Sequence, residues 1–307
     1  SHNTQPWIFR VTPEGLELIA DRTRALPVND PDDRELVISC GAALFNLRVA
    51  AAERGLRAHV ATLPDGDKPD LLATVHLEPH GDAASSLSGL AQAIPERRTY
   101  RKKFEERGVG EGQIHALQDA AEEEGCFFLH VIDRGLRARI AQLVSEGDSI
   151  QWSRRSWRRE LAAWMHPRRK GDGLAVPVLA APFARTAIRT FDMGGGNAAK
   201  DQELAEESPL LVVLGTGSDR ETDWVAAGQA LERVLLTATS RGLQASYLNQ
   251  PVQVPALRSE LADETSLRFP QVVLRLGYPE AKLEAAPRRS VEEVLERPDD
   301  GLDRPQS

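Results

Sequence analysis

The hydrophobic pattern changes period near the start of the chain. Apolar and polar positions alternate over residues 5–20, which predicts two short strands joined by a turn at Pro13-Glu14-Gly15. Apolar residues then recur every three to four positions over 36–51, which predicts an amphipathic helix. We expect Asp32 to cap this helix at its N-terminus and Gly55 to end it.

The same kinds of element are predicted along the rest of the chain. In order, they are strands at about 56–62 and 71–78, a linker at 81–95, a helix at about 111–124, a strand at 126–132, two helical stretches within 134–165, a strand at 210–214, a helix carrying Trp224 to Ala238, strands at 243–248 and 271–277, and a last helix opening at Ser290 with Glu293 as its capping-box partner. The continuous apolar run 210–214 is typical of a strand buried on both faces. Residues 166–207 give few periodic signals, and 298–307 are expected to be a disordered tail.

The two long amphipathic helices are related by an internal repeat. When the chain is shifted by 187 positions, eight of eighteen residues are identical between 41–58 and 228–245. Each helix carries a row of small residues that would let two backbones approach closely, Gly41-Ala42-Ala43 in one and Ala226-Ala227-Gly228 in the other. We therefore expect two related halves packed about a pseudo-two-fold axis, with similarity through Ala-rich composition as the alternative.

Composition and charge exclude several classes of protein. The chain has 307 residues with 41% hydrophobic side chains, too many for a disordered chain, and its two cysteines, Cys40 and Cys126, do not make a disulfide scaffold. A formal net charge of −8 argues against a general nucleic-acid binder. There is no uninterrupted apolar run long enough for a membrane span and no signal-peptide core, so the expected location is the cytoplasm.

The densest cationic cluster is Arg97-Arg98-Thr99-Tyr100-Arg101-Lys102-Lys103-Phe104. Arginine presents a planar fork that matches phosphate oxygens, so three arginines and a hydroxyl within five residues could cradle a phosphate. A second basic pair, Arg288-Arg289, directly precedes the predicted helix start at Ser290, and helix N-termini attract anions. Solvated basic residues are the alternative interpretation of both clusters.

A polar group at the start of the chain is a third candidate. Ser1, Asn3 and Gln5 share one face if this segment is extended, and their hydroxyl and two amides could bind the edge of a flat heterocycle. The alternative is a merely polar strand start. Further along, the tryptophan- and arginine-rich stretch 151–170 is a helix with an aromatic inner face or a cap over a pocket. The segment 194–197 is a mobile lid loop or a simple connection.

Other motifs are absent. Gly215 and Gly217 follow a good strand, but Arg220 occupies the place of the third glycine that a dinucleotide-binding loop needs. The sequence contains no Gly-x-Ser-x-Gly, His-Glu-x-x-His or Cys-x-x-Cys. We therefore name no catalytic residue and no metal ligand.

Taken together, the motifs resemble one known family. Ser1 to Trp7 reads Ser-His-Asn-Thr-Gln-Pro-Trp and resembles the Ser-x-Asn-x-Gln-Pro-Trp signature of the FMN-dependent nitroreductase superfamily. Residues 97–104 resemble that superfamily's Arg-Arg-Ser-x-Arg-x-Phe element, and 241–243 and 276–288 are similar to it as well. The unusual order of these motifs in a duplicated chain is similar to the Acg-like branch.

This resemblance implies an α+β, nitroreductase-like fold with two related halves in one chain, an intramolecular pseudo-dimer. The expected halves are 1–95, which lacks its own arginine element, and 96–297, which carries a lid-like insertion at about 151–207; 298–307 is the tail. One FMN site is expected rather than two. The residues that the resemblance assigns to FMN are Ser1, Asn3, Gln5, Arg97, Arg98, Thr99, Arg101, Asn249, Gln250, Arg288 and Arg289.

The resemblance also implies an activity. Superfamily members reduce small nitroaromatic or quinone-like acceptors with NAD(P)H through ping-pong hydride transfer by the flavin, and such a chain would act as a monomeric pseudo-dimer without nucleic acid or membrane partners. Asn3 would stabilise the charge of the reduced flavin. The alternative function is FMN sequestration or storage, in which a lid closes the substrate slot and no nitroreductase activity remains.

Overall fold

The computed structural model of the chain describes residues 1–79, 86–87, 89–167, 171–176 and 203–298. Its strands are β1 (Trp7–Thr12), β2 (Gly15–Ala20), β3 (Leu56–Thr62), β4 (Leu71–Pro79), β5 (Phe127–His130), β6 (Met165–Pro167), β7 (Leu174–Val176), β8 (Leu210–Thr216), β9 (Gln244–Tyr247), β10 (Phe269–Gly277) and β11 (Leu295–Glu296). Its helices are α1 (Arg34–Ala52), α2 (Glu111–Glu122), α3 (Arg134–Ser153), α4 (Arg155–Ala163), α5 (Glu221–Ser240), α6 (Gln250–Gln253), α7 (Pro255–Thr265) and α8 (Val291–Val294). The predicted loop at 194–197, residues 299–307 of the predicted tail, and residues 81–85 and 88 of the predicted linker lie outside the described residues.

The two main sheets have the same strand order. The first contains β1-β2-β4-β3 and the second β5-β8-β10-β9, and these neighbouring strands all pair antiparallel. In each, a long helix follows the second strand along the chain, α1 after β2 and α5 after β8. The similarity that the repeat predicted for two helices therefore extends to the topology of both sheets, and the fold is α+β.

The sheets differ in what lies between their first two strands. β1 and β2 are joined by Pro13 and Glu14 alone, as the sequence predicted. Between β5 and β8 the chain instead builds α3, α4 and the small parallel pair β6-β7. Of these elements, α4, β6 and β7 fall within the lid-like insertion expected at about 151–207, of which 168–170 and 177–202 lie outside the described residues.

α1 and α5 each contribute to the core beneath the other helix's sheet. Ile38 of α1 packs with Val212, Leu214 and other residues of the second sheet. Val225 of α5, which occupies the corresponding repeat position, packs with Leu18 and other residues of the first sheet. By length and hydropathy α1 is also the one helix within the described ranges that could span a membrane, although 56% of its most apolar window is buried inside the protein.

The N-terminus of α1 is capped differently from the prediction. Asp30, not Asp32, holds it, because the Asp30 carboxylate accepts the backbone N–H of Glu35 at 3.0 Å and of Leu36 at 2.8 Å. Asp33, directly before the first residue of α1, adopts a left-handed φ of 56° and turns the chain between Asp30 and the helix. Asp32 is left exposed to solvent.

The end of the chain crosses from the second sheet to the first. The predicted capping box is present, since the Ser290 backbone N–H donates to Glu293 Oε2 at 2.9 Å. The helix that it opens, α8, has a single turn and leads into β11, which pairs in parallel with β1. Phe9 lies opposite Leu295 in this pairing. No sequence pattern indicated β11.

Candidate functional site

The arginine segment extends the second sheet at the free side of β9. Thr99 bridges to Ala245 in parallel orientation, and the Tyr100 backbone N–H donates to the Ala245 carbonyl at 2.8 Å. The Arg98 backbone N–H donates to the Gln244 side chain, also at 2.8 Å. Residues 98–100 are therefore held as an additional edge strand, which fixes where the neighbouring arginine side chains emerge.

The guanidinium groups of this segment have different environments. Arg97 pairs with the buried carboxylate of Glu232 at 3.3 Å, and this negative charge raises the pKa of Arg97. Arg98 donates to the backbone carbonyls of Leu283 and Pro95. Arg101 is exposed and makes no hydrogen bond or ion pair within the described residues. Arg101 is thus the member of the cluster that is available to a ligand.

Arg288 joins this cluster from the other end of the chain. Partial burial, followed by the nearby charge of Arg97, lowers the pKa of Arg288. Tyr247 lies among the same groups: burial raises the pKa of its hydroxyl, while the positive charges of Arg97, Arg101 and Arg288 oppose that rise. Since Glu232 is the carboxylate that faces these guanidinium groups, they retain an excess of positive charge around Tyr247.

Arg289 does not join this cluster. Its guanidinium donates to the backbone carbonyls of Gln5 at 2.9 Å and Trp7 at 3.3 Å, and it faces Asp21 at 3.6 Å. Arg289 therefore attaches the C-terminal segment to the start of β1. Of the basic pair that the sequence singled out, Arg288 faces the candidate site and Arg289 has a structural role.

The N-terminal segment reaches the same site in an unusual conformation. His2, Asn3 and Gln5 all have positive φ, at 50°, 54° and 51°, which is rare for residues other than glycine. The segment is therefore coiled rather than extended, so the single polar face expected for it is not formed. Such strained backbone is kept only where surrounding contacts impose it, and the two amides supply those contacts.

The Asn3 and Gln5 side chains bind backbone groups of two other segments. Asn3 Nδ2 donates to the carbonyls of Gly173 and Pro287, each at 3.2 Å. Gln5 Nε2 donates to the Gly171 carbonyl at 2.9 Å, while its Oε1 accepts the backbone N–H of Arg289 at 3.0 Å. Both hydrogens of the Asn3 amide are used in this way, so the amide supports the site rather than projecting from it.

Asp172 holds the turn formed by residues 171–173 against the N-terminal segment. Its carboxylate pairs with Arg24 and lies 2.9 Å from His166 Nε2. Arg24 also donates to the Thr4 carbonyl at 2.5 Å. The turn 171–173, which directly precedes β7, is thereby fixed against the N-terminal segment by both charged and neutral hydrogen bonds.

Ser1 is exposed at the rim of the site, and His2 beside it is half-buried. Ser1 Oγ is 2.9 Å from His2 Nδ1, and the His2 ring meets Trp157 edge to face at 6.4 Å. Burial, and in addition the charge of nearby Arg101, lowers the pKa of His2 to about 3. His2 is therefore neutral near pH 7, and the positive charge of the site comes from its arginines.

Asn249 and Gln250 turn their side chains to a buried polar network. Asn249 Nδ2 donates to Glu35 Oε1 at 3.3 Å, and Asn249 Oδ1 accepts the backbone N–H of Val273 at 3.1 Å. Gln250 Nε2 donates to Asp148 at 3.2 Å. These amides do not face the arginine cluster, so any part they have in ligand binding falls to the backbone of the loop after β9.

Sequence reasoning missed several residues of this site. Glu232 reads as one more charge on a long helix, and Tyr247 as one more strand aromatic. Asp172 and its flanking glycines lie in a stretch without periodicity. A signal existed only for Tyr247, which lies two residues before Asn249, one of the residues that the family resemblance assigns to FMN.

Comparison with known proteins gives relatives over nearly the full chain. No family model matches. "Putative NAD(P)H nitroreductase Rv3131" of Mycobacterium tuberculosis is 33% identical over 312 residues, covering 98% of this chain and 88% of the relative. "Putative NAD(P)H nitroreductase acg" of the same organism is 28% identical over 304 residues, covering 96% and 90%.

Solved structures that align with the chain are more distant in sequence. Nitroreductase A from Vibrio parahaemolyticus aligns with a TM-score of 0.43 at 15% identity, over 66% of this chain and 72% of its own. A nitroreductase with bound FMN from Bacteroides fragilis aligns with a TM-score of 0.43 at 15% identity, over 66% and 95%. On the strength of its full-length curated relatives, the chain belongs to the nitroreductase superfamily of NAD(P)H oxidoreductases, in the Acg-like branch.

Proposed function

We propose that this protein binds one FMN and uses NAD(P)H to reduce a small, nitroaromatic or quinone-like acceptor. The observation that carries the proposal is the guanidinium charge of Arg97, Arg101 and Arg288 around Tyr247, which exceeds the one negative charge that Glu232 supplies there among the described residues. Three guanidinium groups gathered in one place repel each other unless an anion lies among them. A flavin phosphate supplies such an anion.

The donor set fits FMN. Arg101 and Arg288 would hold the phosphate, with Arg97 kept in place by Glu232 and Thr99 near the ribityl chain. The coiled N-terminal segment with Ser1, Asn3 and Gln5, and the backbone of the loop at Asn249 and Gln250, would surround the ring. When bound, FMN supplies the hydride-transfer chemistry, because none of these side chains can carry a hydride.

The residues of the chain orient and enclose rather than exchange protons. His2, with its pKa near 3, and Tyr247, with its raised pKa, both stay neutral near pH 7. Neither supplies a titrating group at the pH at which the enzyme would work. We therefore assign no general acid or base, in keeping with a reaction in which the cofactor carries the chemistry.

We further propose that the chain acts as a monomeric pseudo-dimer with the halves 1–95 and 96–297. The candidate site combines Asn3 and Gln5, next to the first sheet, with the arginine segment next to the second. At the equivalent place in the second half, β5 is preceded by Gly125-Cys126 instead of the Gln-Pro-Trp motif. One site per chain is the result. Two free buried thiols, Cys40 and Cys126, are consistent with the cytoplasm.

The second candidate function is sequestration of FMN. The turn 171–173 is bonded to Asn3 and Gln5, which are residues that the family motif assigns to the flavin. A segment fixed at that position could deny a second molecule access to the ring. This observation favours a protein that holds flavin without turning it over.

A visible spectrum of the purified protein under anaerobic conditions, before and after NADPH, tests both functions. Bound flavin that bleaches within seconds supports the oxidoreductase. Bound flavin that stays oxidised with NADPH and NADH, yet bleaches with dithionite, supports sequestration. Protein that is colourless and does not quench the fluorescence of added FMN contradicts both. Light scattering on the same sample measures the mass in solution, and a mass of two chains contradicts the monomer.

A further inference from the structure

We infer that Arg275, a buried residue of β10 outside every motif discussed so far, positions Arg101 for binding the anionic group of the ligand. The inference rests on the proposed function, because Arg101 is assigned there to the phosphate. It concerns a different residue, however, and a different kind of contact. Arg275 is a positioning residue: it acts on the backbone that carries Arg101.

Arg275 binds the arginine segment on both sides of Arg101. Its side chain is 1% exposed, and its Nη2 donates to the carbonyl of Tyr100 and to the carbonyl of Lys102, each at 3.0 Å. These two carbonyls flank the Arg101 residue in the chain. One guanidinium therefore orients the peptide plane that joins Tyr100 to Arg101 and the plane that follows Lys102.

An aromatic pair completes the support. The Arg275 guanidinium lies 4.8 Å from the centroid of the Phe104 ring, and that ring stacks on Tyr100 at 5.2 Å with an interplanar angle of 24°. Tyr100 and Phe104 are 1% and 3% exposed. A cation over an aromatic face is stabilised by the ring quadrupole, and more strongly where water is excluded. The segment is thus held by its carbonyls and by its ring platform at once.

Arg101 depends on this support because its own side chain has none. It is exposed and makes no hydrogen bond or ion pair within the described residues. A free arginine side chain has a large rotamer entropy to lose on binding. With its backbone fixed, only side-chain freedom is lost when Arg101 binds an anion; with a mobile backbone, the loss is larger. Arg275 therefore raises affinity for the anionic group without touching it.

Gly277 gives a second way to disturb the same segment. A β-carbon on Gly277 would lie 2.7 Å from Cγ of Phe104, closer than real atoms approach. An alanine there forces the Phe104 ring to move while Arg275 keeps its own side chain. Gly277 does not have a positive φ, so the backbone itself accepts alanine. The two substitutions are independent tests of one arrangement.

The test compares the affinities for FMN and riboflavin, which share the ring and the ribityl chain and differ in the phosphate. Fluorescence quenching gives both dissociation constants for the wild type, R275M, R275K, G277A and R101A. We expect R275M and G277A to lower the FMN-over-riboflavin preference about tenfold, the effect of weakening one charge-assisted hydrogen bond. Riboflavin affinity stays within threefold. R275K, which keeps the charge and reaches one carbonyl, recovers part of the preference.

The double variant R101A/R275M separates positioning from general damage. If Arg275 acts through Arg101, the preference of the double variant equals that of R101A, because the two effects are not additive. R137M is the matched control, since Arg137 also donates to two backbone carbonyls, those of Ser208 and Val131, away from the site. We expect R137M to leave the preference unchanged.

Three results would overturn the inference. One is an equal loss of FMN and riboflavin affinity in R275M, which denotes a merely structural role. Another is additivity in the double variant. The third is an unchanged preference in both R275K and G277A, which remain informative if R275M does not fold. A wild-type protein that binds flavin but does not distinguish FMN from riboflavin would instead refute the phosphate site of the proposed function, and the inference with it.

Discussion

Gly41 of α1 and Gly228 of α5 lie directly against each other, and their contacts are reciprocal. A β-carbon on Gly41 would be 2.3 Å from the carbonyl oxygen of Val225, and one on Gly228 would be 2.1 Å from the carbonyl oxygen of Ile38. Both pairs of equivalent residues are 187 positions apart. In a two-fold interface, if residue i meets j of the partner, j meets i. The contacts of Gly41 and Gly228 have this reciprocal form.

Substituting either glycine should therefore destabilise the protein. For G41A or G228A we expect a loss of about 1–3 kcal/mol, because the new methyl group meets backbone atoms that cannot rotate away. Chemical denaturation and thermal unfolding measure the loss. The control is G112A in α2, where a β-carbon has open space and alanine favours the helix by about 0.5–1 kcal/mol. Wild-type stability in both G41A and G228A would mean that the helices can separate at no cost.

The repeat was visible in the sequence because the close approach of α1 and α5 requires glycine at both Gly41 and Gly228. The common strand order of the two sheets was not visible in the sequence, because the identical residues become rare outside α1, α5 and the strands that follow them. β11 is a more general case. A two-residue strand has no periodicity of its own. Residues 295 and 296 form a strand only because they pair with the edge of β1, nearly 290 residues away in the chain. α7 was missed because it begins at a proline, Pro255, and its apolar residues show little periodicity.

For the site, the sequence identified the arginines but not which of them face the candidate site and which bind other parts of the protein. Arg288 and Arg289 are adjacent and chemically identical. What separates them is the position of Asp21 and of the Gln5 and Trp7 carbonyls, which draw Arg289 away from the cluster. Which of the two arginines faces the site depends on tertiary contacts, and the local sequence pattern carries no information about those contacts.

Arg101 and Arg97 should respond differently to truncation. R101A removes an exposed side chain that has no partner among the described residues, so we expect FMN affinity to fall about 10- to 100-fold with unchanged stability. R97A also leaves the buried Glu232 carboxylate without its arginine, so stability should fall by about 1–3 kcal/mol as well. Flavin titration and chemical denaturation of each variant measure the two effects. Unchanged FMN binding in R101A would contradict the phosphate assignment.

Asp219 should make stability depend on pH in the acid range. Burial alone would raise its pKa, but hydrogen bonds from Arg258, Gln271 and Trp224 outweigh burial and hold the pKa well below its usual value. A lowered carboxyl pKa stabilises the fold above the unfolded value near 3.9, and this stabilisation is lost as pH falls through the folded pKa.

D219N should consequently be less stable than the wild type at pH 7, by about 2 kcal/mol. The difference should shrink in urea denaturation as the pH is lowered below 4. D67N serves as the control, because Asp67 is exposed and lies in a surface turn. A difference of constant size from pH 7 to the acid limit would show that shape, and not charge, accounts for the effect of Asp219.

Asp172 should control how fast flavin leaves. It attaches the turn 171–173 to Arg24 and His166, beside the Asn3 and Gln5 amides. D172N keeps the shape but removes the charge, so we expect FMN dissociation, followed by stopped-flow fluorescence, to be about tenfold faster. D119N, at an exposed position of α2, should leave the rate unchanged. If reduction by NADPH also becomes faster in D172N, the turn restricts access to the ring and sequestration is favoured. If only the dissociation rate changes, the substrate slot is already open. Equal dissociation rates in D172N and the wild type would show that the turn 171–173 does not contribute to the flavin site.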